Sequence, residues 1–118
     1  MPANYDEIRT AIGRGFSVDN LRTITNLSLA ILQKRPLHPA IFLTIATVAG
    51  WVADAWDDIP LLVAVADRVE GQLKPHLEIL LNVAEGSSDQ VSSALDAMAS
   101  AFTDAIRMGL DSDLLQSN

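Results

Sequence analysis

Three aspartates, Asp54, Asp57 and Asp58, close the most apolar stretch of the chain, HPAIFLTIATVAGWVADAWDD from His38 to Asp58. Asp54 stands three and four residues before the other two, the spacing that puts side chains on one face of a helix. Carboxylate oxygens are hard ligands, so such a face could hold magnesium, manganese or calcium. Helix bundles complete such sites with acids from a second helix, here Asp67 or Glu70. The chemistry would then be metal-assisted hydrolysis of a phosphorylated small molecule.

The structural alternative needs no metal. Three carboxylates in the last turn of a helix oppose its dipole by about 0.3–1 kcal/mol each, so something must compensate. Asp58 can cap the following helix, Asp54 can pair with a base such as Arg68, and Asp57 can stay solvated. This reading is favoured over the metal.

Other reactive groups are sparse. His38 and His76 each adjoin a proline, Pro39 and Pro75, which points to capping or loop roles. A His76, Glu78 and Ser87 or Ser88 constellation has no G-x-S-x-G elbow to support it, and helix caps account for the serines. Gly13-Arg14-Gly15 is too short for a phosphate loop and follows no strand. The absence of cysteine removes thiolate metal sites, disulfides and a Cys nucleophile.

Trp51 and Trp56, five residues apart, sit at different angles around one helix, so one of them is expected at the surface. An exposed tryptophan beside acids suits a protein partner, because aromatic residues dominate binding energy at interfaces.

Helices must position all of these groups. Asn4 with Glu7 fits a capping box, and Tyr5, Ile8, Ile12 and Phe16 recur at helical spacing up to Gly13 and Gly15. Ser17 opens a second helix with Leu21, Ile24, Leu27, Ala30 and Ile31 inward; Lys34 and Arg35 suit its last turn, and Pro36 stops it. Pro39 opens the third, which is apolar on all sides and reads as a central core helix. Asp58 and Pro60 begin a fourth, with Val65, Val69 and Leu73 inward and a kink or restart at Pro75; Leu77, Leu80, Leu81 and Ala84 continue to a left-handed stop at Gly86. Ser87 with Gln90 caps the last helix, whose apolar positions Val91, Leu95, Met98, Phe102, Ile106 and Leu110 step by three and four. Its small residues, Ala94, Ala97 and Ala101 among them, permit close approach of another helix, including one across a dimer axis.

The fold class is therefore all-α: a compact bundle of five or six helices around the His38 to Asp58 helix, in one domain over residues 1–118 with 110–118 as a frayed tail. QKRP at 33–36 and QLKP at 72–75 echo each other 39 residues apart, a spacing that suits helix-pair repeats, but four residues are too few to outweigh the bundle. The uncharged run from Pro39 to Ala53 is 15 residues, short of the about 20 that span a bilayer.

Net charge is −7, unevenly spread. Residues 1–35 hold five bases and three acids; the remainder holds three bases and twelve acids. Such a surface repels nucleic acid. No secretory or presequence pattern occupies the first twenty residues, so a cytoplasmic location is expected. The first functional reading is a non-catalytic protein–protein interaction or adaptor module without a cofactor, homodimeric through the alanine-rich side of Ser88 to Gly109. The alternatives are the metal-dependent hydrolase above and a carrier whose apolar pocket is lined by Trp51, Trp56, Phe42 and Phe102.

Overall fold

The structure, a computed structural model, describes residues 5–58 and 63–107. These form five helices: α1 (Asp6–Gly13), α2 (Val18–Gln33), α3 (Pro39–Asp58), α4 (Val63–Asn82) and α5 (Ser88–Ala105). There is no strand among the described residues. The expected all-α bundle around an apolar helix is what forms.

Helices α2 and α3 make an antiparallel hairpin, with Arg22 against Asp54 and Thr25 against Gly50. Helices α4 and α5 make a second, and α1 lies across α2 and α4. Pairing of this kind follows from the short connections, which leave consecutive helices no other way to bury their apolar faces. One core runs through all five, from Ile8 and Ile12 through Leu21, Ile24, Phe42, Ile45 and Val52 to Leu73, Leu77, Leu80 and Met98. Ile41, Ile45, Val48, Ala49 and Val52 cover the inner face of α3. By length and composition α3 could cross a membrane, yet its buried side is covered by helices of its own chain.

Local signals hold at several ends. The Ser17 hydroxyl accepts from the Asn20 N–H at 3.1 Å, and Ser87 with Gln90 forms the full capping box. The Asn4 cap lies outside the described residues, and Tyr5 occupies the α1 N-cap without a side-chain bond. The start of α4 at Ile59 to Leu62 also lies outside them, as does the tail from Met108; the backbone of Asp58 belongs to α3.

Three expectations need correction. Of the kink or restart expected at Pro75, the restart does not occur: α4 runs through it to Asn82. Pro75 and Gly71, the residue whose carbonyl loses its partner, are both exposed, so water replaces the missing bond. Gly86 is not left-handed; the turn after α4 closes by the Gly86 N–H donating to the Val83 carbonyl. Ala30 is exposed rather than core-facing, because the buried stripe of α2 passes through Leu21, Ile24 and Ser28. The 39-residue echo has no structural counterpart: its first copy ends α2 and its second lies inside α4.

The α1–α2 turn is the most heavily tied corner. Gly15 adopts φ +93°, a left-handed conformation that glycine takes without a Cβ penalty. A Cβ there would also stand 3.0 Å from Glu70 Oε1, the oxygen that accepts the Phe16 N–H at 2.6 Å. The Asn20 amide donates to the Ala11 and Gly15 carbonyls, and Lys74 donates to the Gly13 carbonyl at 3.3 Å. Three helices thus converge on one turn.

Two predictions follow from strain and burial. Arg35 ends the α2 turn at φ +55°, immediately before Pro36, where an L side chain is disfavoured. Arg35→Gly removes that strain against a smaller rise in unfolded-chain entropy, so the melting temperature should rise by about 2–5 °C, measured by calorimetry. Tyr5 is almost fully buried, its ring 5.1 Å from that of Phe42. Burial pushes its hydroxyl above the ordinary tyrosine value, and the Glu85 carboxylate pushes the same way. The folded state therefore holds that proton more tightly: the contribution is intact below pH of about 10 and is lost as pH rises past it. In urea titrations at alkaline pH, Tyr5→Phe should lose less stability than the parent chain.

Candidate functional site

Among the described residues, the other four helices leave part of α3 uncovered. Leu43, Thr47 and Trp51, at successive intervals of four, remain on an outer strip, with Leu43 57% and Trp51 40% exposed. Helix α5 closes part of this side, starting from the same end of the molecule, where the His38 Nε2–H donates to the Gly86 carbonyl at 2.8 Å. It touches α3 only sparsely along its length. The ring of Phe102 meets Trp51 edge to face, with centroids 5.5 Å apart and planes at 89°. Such a T-shaped pair contributes about 0.5–1.5 kcal/mol beyond area burial.

Between these two walls lies an open groove of about 340 Å³, lined by Leu43, Thr44, Thr47, Val48, Leu95, Met98, Ala99 and Phe102. Its only side-chain polar atoms are two hydroxyls. Thr47 turns its own inward, donating to the Leu43 carbonyl at 2.8 Å, so its methyl is left to the groove. The surface offers carbon contact and no reacting group.

Two of the three aspartates share one base. Arg22 of α2 reaches across the hairpin, with Nη1 3.2 Å from Asp54 Oδ1 and Nη2 3.3 Å from Asp57 Oδ2. The compensating base is thus Arg22, not Arg68, because α2 rather than α4 flanks this face of α3. Asp67 is exposed, and Glu70 is committed to the Phe16 N–H; neither completes a site with Asp54. The side chain of Asp58 lies outside the described residues. No group of three or more histidine, aspartate and glutamate side chains is placed to hold a metal among the described residues.

The remaining candidates separate. Trp56 is half-buried against Phe16 at 6.3 Å, with its Nε1 buried and unpartnered among the described residues. Phe42 is buried against Tyr5, so the four aromatics expected to share one carrier pocket occupy three places, and only Trp51 and Phe102 meet. Ser87 Oγ accepts the Gln90 N–H, and His76 Nδ1 has no partner among the described residues; no His–Ser pair forms. Ala94 and Ala101, two of the alanines expected to line a dimer face, are buried in the chain's own core. Their small size serves packing within the chain. Ala97 alone of the three is exposed, beside a second and wider groove over Ile79 and Val83.

Sequence reasoning named Trp51 but missed Leu43, Thr47, Leu95 and Ala99. Residues on an all-apolar helix carry no mark of which side is left open. The one usable signal was the pair Thr44 and Thr47, the least apolar positions between Pro39 and Ala53 apart from Gly50.

No family model matches the chain, and no curated protein or solved structure does.

Because Asp54 and Asp57 already share a guanidinium at an exposed site, millimolar magnesium or manganese should leave the melting temperature unchanged. Asp54→Asn should shift stability by no more than about 1 kcal/mol, the range of solvent-exposed ion pairs. A metal-dependent rise that disappears in Asp54→Asn, read by differential scanning fluorimetry, is the opposite outcome.

Proposed function

We propose that this chain is a non-catalytic protein-binding module whose docking site is the α3/α5 groove. The observation that carries the reading is the apolar strip of Leu43, Thr47 and Trp51 facing Leu95 and Phe102 across an open cleft. Large aliphatic and aromatic side chains left half in water gain by being covered, at about 25 cal/mol per Å² of apolar surface removed. A rigid tryptophan held by a ring neighbour is the kind of anchor on which interface energy concentrates.

Both walls belong to helices fixed in the core, through Val48 and Val52 on α3 and Met98 and Ala101 on α5. Little conformational entropy is then lost on docking, which favours affinity. The absence of any reactive side chain from the lining directs the reading toward binding rather than catalysis. Self-association through Ala94 and Ala101 is no part of it, since both are already covered.

A photo-crosslinking side chain placed at Thr47 in cells tests this. A discrete protein adduct is expected there, lost when Leu43→Gln is added, and absent when the same group replaces Glu78, which is exposed on α4. Leu43 is more than half exposed, so Leu43→Gln should cost no more than about 0.5 kcal/mol of stability. Equal labelling at both positions, or none at Thr47, removes the proposal.

A further inference from the structure

We infer that the occupant of the α3/α5 groove is a basic amphipathic helix of another protein, an inference that rests on the groove being a protein docking site. Its apolar floor sets the first requirement. The open strip from Leu43 to Trp51 spans nine residues of α3, a rise of about 12 Å or two helical turns, so a partner helix of about three to four turns covers it. Apolar side chains at i, i+3 or i+4 and i+7 of that helix fill the cleft, the mode in which an amphipathic helix lies in a hydrophobic groove.

Charge decides the partner's other face. Helix α3 carries three aspartates and α5 three more, and neither contains a lysine or arginine. Asp54 stands one turn past Trp51 on α3, and exposed Asp96 is the residue after Leu95 on α5, so each wall carries an acid within one helical turn of the apolar strip. Arg22 offsets part of the α3 charge; Asp96 makes no ion pair among the described residues. At physiological salt the screening length is about 8 Å, so these acids act on whatever lies in the cleft.

The same sign argues against the two nearest competitors. A second copy docked groove to groove would set one acidic pair of walls against another. The chain's own residues 108–118 carry Asp111 and Asp113 and no base, so folding that segment into the cleft would also add like charge. Lysines or arginines flanking an apolar stripe reverse the sign, which raises the association rate and fixes orientation.

The test uses the full chain and three synthetic peptides of equal length: a leucine/lysine sequence with helical periodicity, the same sequence with glutamate for lysine, and a leucine/lysine sequence scrambled to remove the periodicity. Fluorescence anisotropy gives affinity, amide NMR shifts give location, and sedimentation gives oligomeric state. The helical basic peptide should bind one to one, at least about tenfold tighter than either control, with weakening in higher salt. Shifts should centre on Thr47, Ala99 and Phe102, and affinity should fall by about fivefold or more in Leu43→Gln and in the Asp54→Asn, Asp96→Asn double variant.

Equal binding of the acidic peptide overturns the charge assignment and leaves the docking site standing. A dimer that Leu43→Gln dissociates assigns the groove to a second copy instead. Shifts at Thr47 and Ala99 on introducing Leu114→Ser with Leu115→Ser, without peptide, assign it to the chain's own C-terminal residues. No peptide binding alongside a Thr47 protein adduct in cells rejects the helix and keeps the docking reading; loss of both rejects both.

Discussion

A helix without a polar face demands cover on every side, and four other helices supply it on only part of the circumference of α3. Helix α2 takes one flank over most of its length, while α4 and α5 take a second more sparingly. What remains is set by arithmetic on the helix wheel: Leu43, Thr47 and Trp51 lie on the line that the neighbours cover least, with Phe102 touching it only at Trp51. The open groove is therefore the direct residue of the constraint that shapes the core. Burial of Ile41, Ile45, Val48, Ala49 and Val52 drives assembly, and the same apolar character on the other side is left facing water.

Polar contacts then fix how the helices sit. Arg22 joins the far end of α3 to α2, His38 joins its near end to the turn after α4, and Glu70 and Lys74 hold the α1–α2 corner against α4. Most of these involve exposed or half-exposed groups, so each contributes modestly to stability. Their effect is on register: they select one arrangement among several that would bury similar apolar area.

The class and element order were legible in the sequence because they rest on periodicity and caps, which are local. Ser17 and Ser87 with Gln90 cap as read, and of the stripe on α5 Val91 and Met98 are buried while Leu95, Phe102 and Ile106 are half-buried. What was not legible depends on who packs against whom. Arg22 and Arg68 are equally good partners for Asp54 on paper; only the α2/α3 hairpin chooses between them. Alanines on α5 look alike in sequence, yet Ala94 and Ala101 turn inward and Ala97 outward, by a rotation that follows from the placement of α4. The restart at Pro75 failed for a related reason: its missing bond faces solvent, so α4 continues through it.

The corner at Gly15 has an evolutionary consequence. Its left-handed backbone and the 3.0 Å clearance to the Glu70 carboxylate are two separate obstacles to any side chain at position 15. A lineage that replaces this glycine must reshape the turn and shorten or redirect residue 70 in the same step. Positions 15 and 70 are thereby coupled, fifty-five residues apart in the chain.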